Sequence, residues 1–96
     1  MSEVQLQLDE RGRGAFYLEE NKEKLGEMVV GISGTALTVY HTEVDPKMEG
    51  QGLAKKMFDF MIKYVREKGL TVVPLCEFVH AQFKRHPEEF ADVWKR

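Results

Sequence analysis

Glu49-Gly50-Gln51-Gly52-Leu53-Ala54 stands between a strand-rich first half and a long run of apolar residues at helical spacing, so its two glycines fall where a strand hands over to a helix N-terminus. The first turn of a helix leaves backbone N–H groups without partners and carries a partial positive charge, and glycine lets a ligand come close to that backbone. A diphosphate is the natural guest of such a loop. Taken alone, the same spacing serves equally well as a ligand-free turn that starts a helix, and the surrounding sequence has to decide between the two.

Working upstream, Ala36 to Val44 reads as the strand that feeds the loop, alternating Leu37, Val39, His41 and Glu43 against Thr38, Tyr40, Thr42 and Val44. Before it, Lys24 to Ser33 carries the nearly continuous apolar run Met28, Val29, Val30 and Ile32, which predicts a central strand covered on both faces. Gly14 to Glu20 and Val4 to Leu8 alternate as half-buried strands, with Asp9 to Gly12 and Asn21 to Glu23 turning the chain between them.

Downstream, Leu53, Met57, Phe60, Met61, Tyr64 and Val65 recur at helical spacing from Gly52 to Lys68, with Lys55, Lys56, Asp59, Lys63, Arg66 and Glu67 on the other side. Gly69 suits the C-terminal cap, and Leu70 to Leu75 gives a fifth strand after a crossover long enough for a parallel βαβ unit. Pro74 limits that strand's pairing near its end. Cys76 to Lys84 predicts a second helix burying Phe78, Val79 and Phe83, and Pro87 to Trp94 a short third one tied down by Phe90, Val93 and Trp94. The order β-β-β-β-α-β-α predicts an α/β (α+β) fold: a mixed sheet with an antiparallel first half and helices packed against it.

Ninety-six residues bound the chain to one domain, residues 1–96, in which a single site must serve both ligands of any reaction. Apolar residues at 43% and charged residues at 31% exclude disordered and fibrous classes. A formal charge of −2, with cations and acids interleaved, argues against nucleic acid, and nothing reads as a membrane segment. One cysteine excludes an intramolecular disulfide framework, and Met1-Ser2-Glu3-Val4 lacks the pattern of a leader, so the cytoplasm is the expected compartment. The expected assembly is a monomer or weak dimer.

The hexapeptide resembles the pyrophosphate-binding loop of the GCN5-related N-acetyltransferases, Arg/Gln-x-x-Gly-x-Gly/Ala, matched here by Glu49-(Gly50-Gln51)-Gly52-Leu53-Ala54. Glu49 departs from the pattern at its first position, which assigns the phosphate contact to backbone amides. The likeness extends to Gly69-Leu70-Thr71-Val72-Val73-Pro74-Leu75-Cys76 and to Arg85-His86-Pro87-Glu88, a combination similar to the small, single-motif branch of that superfamily. The resemblance implies acetyl-coenzyme A as cofactor, an amine of unknown identity as acceptor, and an acyl-coenzyme A cleft between the fourth and fifth strands. Thr42 to Val44 would then face Val73 to Cys76 across it. It implies that backbone groups of Thr42, Glu43 and Val44 pair with pantetheine as an added strand. The cofactor-binding set is completed by Glu49, Gly50, Gln51, Gly52, Leu53, Ala54 and Lys55, with Lys55 meeting the 3′-phosphate end or standing as solvated surface.

Cys76 is the first catalytic candidate, because a strand-to-helix junction places a thiol at a positive helix end; Glu77 opposes that effect, and an ordinary core cysteine is the other reading. Glu43 and His41 follow as acceptors of the amine's proton, against the reading that they are a solvated acid and a hydrogen-bonded polar residue. Larger relatives carry a general-acid tyrosine on the helix after the fifth strand; here no tyrosine follows Tyr64, and Phe78 and Phe83 occupy that helix. His80, His86 and Cys76 lack the paired spacing of a zinc site, so no metal is expected. The competing function is a non-catalytic acyl-coenzyme A-binding or protein-interaction module of the same fold.

Overall fold

The computed structural model describes residues 3–96; Met1 and Ser2, which open the stretch read as lacking a leader, lie outside the described residues. Four strands run antiparallel in chain order: β1 (Gln5–Leu8), β2 (Arg13–Glu20), β3 (Glu23–Ser33) and β4 (Ala36–Val44). A single 3-10 turn (Pro46–Met48) leads through the glycine loop into α1 (Leu53–Lys68). β5 (Thr71–Pro74) then pairs parallel with β4, and α2 (Glu77–Arg85) follows, giving the sheet order β1-β2-β3-β4-β5. The expected element order and mixed sheet are therefore present.

Local chemistry sets the hairpins. The Asp9 carboxylate accepts the N–H groups of Arg11 and Arg13 at 2.8 and 3.0 Å, closing the β1–β2 turn; these bonds hold its pKa below the usual 3.8. Asn21 and Lys22 both adopt positive φ, 53° and 65°, the conformation that matches a two-residue hairpin to the twist of its strands.

One face of the sheet presents Phe16, Leu18, Met28, Val30, Leu37 and Val39, all essentially inaccessible. α1 seals it with Leu53, Met57, Phe58, Met61, Ile62 and Val65, and α2 adds Val79 and Phe83. Phe58 is the hub where the helices meet, its ring edge-on to Phe78, Phe83 and Phe90 at centroid distances of 6.2, 5.9 and 5.3 Å. Sequence spacing placed Phe60 in this core and left out Phe58 and Ile62. Instead Phe60 sits on the rim, stacked edge-on against Phe16, because α1 is buried by both the sheet and α2 and so hides a wider arc than a single stripe.

Three further expectations are corrected. Both helices share one face, so β3 is covered on one side only: Val29 is half-buried among Ala15, Tyr17 and Glu27 on the open side. The alternation along β4 breaks at Tyr40. Val30 pairs with Val39 but its neighbour Val29 pairs with His41, leaving Tyr40 as an extra residue in a β-bulge.

The segment from Pro87 to Trp94 forms turns, not a third helix. Phe90 and Val93 are drawn into the core, and the backbone leaves helical geometry to bridge β5: the Val72 N–H donates to the Val93 carbonyl and the Lys95 N–H to the Val72 carbonyl, at 2.6 and 2.9 Å. Arg66 of α1 clamps this segment, its guanidinium donating to both Asp92 carboxylate oxygens at 3.0 and 3.1 Å and to the Glu89 carbonyl at 2.8 Å.

Candidate active site

The β4–β5 ladder runs from Ala36/Thr71 to Val39/Pro74. Its end has two causes. The Leu75 N–H, next in line to face β4, turns back to the Val73 carbonyl at 3.2 Å, and the bulge at Tyr40 bends β4 at the next position; Pro74 is not the cause, since Val72 two residues before it directs its N–H away from β4 to the Val93 carbonyl. A last bond crosses where the Cys76 N–H donates to the Val39 carbonyl at 2.9 Å. Beyond it Tyr40 to Val44 pair with β3 or stand in the bulge, and have no β5 partner. The Asp45 N–H donates to Leu25 of β3 at 2.9 Å, so by alternation the backbone groups of Val44 and Thr42 point the other way, toward the open edge.

The bulge also decides which side chains meet. Strict alternation would send His41 and Glu43 to the helix-covered face with Val39. The extra residue swaps the phase: Thr42, opposite the fully buried Met28, takes the helix face, while His41, opposite Val29, and Glu43, opposite Glu27, take the open face. Tyr40 lies on the open face too, where a Cβ at Gly31 would come within 3.2 Å of its ring.

The candidates therefore form two pairs. His41 Nε2 and Glu43 Oε1 are 2.7 Å apart and both exposed, the imidazole N–H donating to the carboxylate. Cys76, 7% exposed, has its Sγ 3.2 Å from the Thr42 hydroxyl. Cys76 joins Thr42 across the splay; it does not join His41 or Glu43. The Thr42 side chain is the participant that sequence reasoning missed, because only its backbone was assigned a part and the bulge leaves no mark on residue alternation.

β4 continues into the glycine loop. Gly50 and Gly52 hold positive φ of 82° and 72°, which the rest of the L residues adopt only at a cost, and a Cβ built on either would meet nothing within 4 Å. Space is therefore open beside both. Gly52 is the N-cap of α1 and provides no side-chain cap; the first turn holds no acid, and Lys55 and Lys56 stand there instead. The helix end is thus left positive, where acids would ordinarily offset it. Lys55 reaches Asp59 at 2.7 Å, and exposed Glu49 caps the preceding 3-10 turn with its N–H bonded to the Pro46 carbonyl. Backbone donors, glycine clearance and an uncompensated helix end fit a diphosphate.

Among the described residues, no group of three or more His, Cys, Asp or Glu is placed to hold a metal ion, and no helix is long and apolar enough to cross a membrane.

With this geometry in place, comparison with known proteins is specific. The sequence model of the GCN5-related N-acetyl-transferase family matches residues 15–93. The chain belongs to the GCN5-related N-acetyltransferase family, and by class it is an N-acetyltransferase. Its fold is similar to that of a GCN5-like protein from Staphylococcus aureus solved by NMR, with a TM-score of 0.70 at 23% identity, over 99% of this chain and 91% of that one. It is also similar to the ribosomal-protein-S18-alanine N-acetyltransferase from Escherichia coli, with a TM-score of 0.61 at 21% identity, over 69% of this chain but 43% of that one. Nourseothricin acetyltransferase gives a TM-score of 0.55 at 18% identity, over 76% of this chain and 58% of that one. No curated protein matches by sequence.

Proposed function

We propose that the chain binds acetyl-coenzyme A and transfers its acetyl group to an amine. The observation that carries this reading is the open edge of β4, with Thr42 and Val44 directing backbone groups away from β3, continuing into the bare, positive N-terminus of α1. An edge for an extended amide chain followed by donors for a diphosphate is the order in which coenzyme A presents those groups.

When bound, acetyl-coenzyme A supplies an acyl group activated as a thioester. The residues of the chain do the rest. Backbone N–H groups of Gly50 and of Gly52 to Ala54 hold the diphosphate, Glu49 and Gln51 complete the loop, the Gln51 N–H being donated to the Met48 carbonyl, and Lys55 contributes charge near the 3′-phosphate end. The backbone groups of Thr42 and Val44 orient the pantetheine, while those of Glu43, expected to join them, face β3 instead. An acceptor amine must lose a proton as its nitrogen forms the new N–C bond and the thioester C–S bond breaks to release coenzyme A as a thiolate that takes up a proton; the His41–Glu43 pair is the candidate base for the amine, directly or through a water. Cys76 stands at the mouth of the cleft, as a nucleophile that carries the acetyl group or as a residue that only lines the path. The assembly proposed is a monomer or weak dimer working in the cytoplasm, without nucleic acid, membrane or metal.

Calorimetric titration with acetyl-coenzyme A tests the reading, with Gly52→Trp as a blocked-loop control and intact-protein mass measured after incubation. Binding by wild type and loss in Gly52→Trp is the expected result; no binding by wild type overturns the proposal. Cys76→Ala is expected to keep its affinity, and an acetyl adduct absent from that variant would assign the carrier role to the thiol.

A second reading, a non-catalytic acyl-coenzyme A-binding or protein-interaction module, is favoured by the separation of Cys76 from the His41–Glu43 pair and by Phe78 and Phe83 on α2. Binding without turnover on a panel of amines would support it.

A further inference from the structure

We infer that Thr42 is a positioning residue for Cys76: its hydroxyl fixes the thiol at the end of the β4–β5 ladder and stabilises the thiolate when the proton leaves. The purpose of this device rests on the acetyltransferase reading, but its geometry does not. Thr42 Oγ1 and Cys76 Sγ lie 3.2 Å apart although 34 positions separate them in the chain. The contact exists because two features of different origin coincide. The Tyr40 bulge turns Thr42 toward the helix face, and the bond from the Cys76 N–H to the Val39 carbonyl pins the backbone of the cysteine opposite.

A hydroxyl suits this place because it can rotate. With the thiol neutral, either group can donate; with the thiol ionised, sulfur has no proton and Thr42 must donate, forming the stronger, charge-assisted bond. One contact therefore serves both protonation states and favours the thiolate. The surroundings leave the hydroxyl little competition. Residues Val73, Pro74 and Leu75 before the cysteine do not ionise, and α1 turns only apolar side chains inward. His41 and Glu43 flank Thr42 but project from the opposite face of β4. Glu77, the first residue of α2 and the acid next to the cysteine in the chain, is exposed, as is His80 one turn further on.

Cys76 is the chain's one cysteine, so ultraviolet thiolate absorbance reports it alone once a Cys76→Ser titration has removed the signal of the three tyrosines. Thr42→Val is expected to raise the titration midpoint by about one pH unit and Thr42→Ser to leave it near wild type. Iodoacetamide alkylation below both midpoints should slow about tenfold in Thr42→Val, with recovery in Thr42→Ser. If Thr42→Val fails to fold, as judged by circular dichroism, Thr42→Ala against Thr42→Ser provides the same contrast. A valine or alanine variant that titrates with wild type overturns the inference, as does a serine variant that shifts as far as they do. These measurements use the protein alone, so a failure to bind acetyl-coenzyme A would count against the proposed function and leave this result standing.

Discussion

The Val39 carbonyl accepts the Cys76 N–H at 2.9 Å, and among the described residues this is the last backbone hydrogen bond across the junction of β4 and β5. It stands immediately before the bulged Tyr40 and one residue after Leu75, whose N–H turns back to the Val73 carbonyl at 3.2 Å, so the strands separate where one bends and the other turns away. The separation follows from backbone chemistry at Val39, Tyr40 and Leu75.

Gly52 should be sensitive to substitution for a conformational reason. Its φ of 72° costs a non-glycine residue about 1–2 kcal/mol, while an added Cβ would meet nothing within 4 Å. Gly52→Ala is expected to lower urea stability by about 1 kcal/mol and to weaken acetyl-coenzyme A binding in calorimetry. Gly52→Asn should lose less stability, because asparagine tolerates the left-handed region.

Phe58 joins the two helices and is wholly inaccessible, whereas Phe60 on the same helix is 37% exposed. Phe58→Ala is expected to cost about 3–5 kcal/mol by combined loss of burial and creation of a cavity. Phe60→Ala should cost clearly less. Chemical denaturation of both variants checks the order, and equal losses would contradict the assignment of Phe58 as the hub.

The Arg66 guanidinium holds the Asp92 carboxyl below its usual 3.8. A depressed folded pKa gives stability that is fully present above the unfolded value and lost as pH falls through the folded one. Both side chains are substantially exposed, 42% and 57%, so solvent screening limits the contribution to about 0.2–1 kcal/mol. Asp92→Asn should therefore be slightly less stable than wild type at pH 7, and the difference should close as pH drops below 3.8. Paired thermal melts across pH 2.5–7 measure it on the order of the carboxylate titration range.

If His41 and Glu43 take the amine's proton, Glu43→Gln should lower kcat by about 10²-fold without weakening acetyl-coenzyme A binding, and His41→Gln should act in the same direction. Turnover with a competent acceptor, together with calorimetry, separates this outcome from a binding defect. Retained turnover in both variants would remove the pair from the reaction.

Much of this architecture could be read from the chain because local and long-range signals agree. Ala36–Val44 has the bounds its alternation and the Gly34 turn imply, and α1 lies between Gly52 and Gly69 as expected. The misreadings have separate physical causes. Alternation assumes one residue per rung, so it cannot register Tyr40 as an insertion. A single apolar stripe describes a helix buried on one side, so it overlooks Phe58, which faces a second helix. Pro87 to Trp94 has helix-compatible residues, yet Phe90 and Val93 gain more by entering the core while the adjoining backbone pairs with Val72. The glycine loop was legible because Gly50 and Gly52 meet a backbone requirement; the Thr42–Cys76 contact was not, because it depends on the bulge.

The splay of β4 from β5 divides one strand into two classes of hydrogen-exchange protection. Amides between Ala36 and Val39 lie between two neighbouring strands, whereas those of Thr42 and Val44 face an edge with no strand beside it, so deuterium should replace the latter far sooner. Anything that docks along that edge as an added strand would slow Thr42 and Val44 together and leave Glu43, directed toward β3, nearly unchanged. An alternating pattern of protection along three consecutive residues would then record strand-like pairing along this edge, whatever the chemical identity of the occupant.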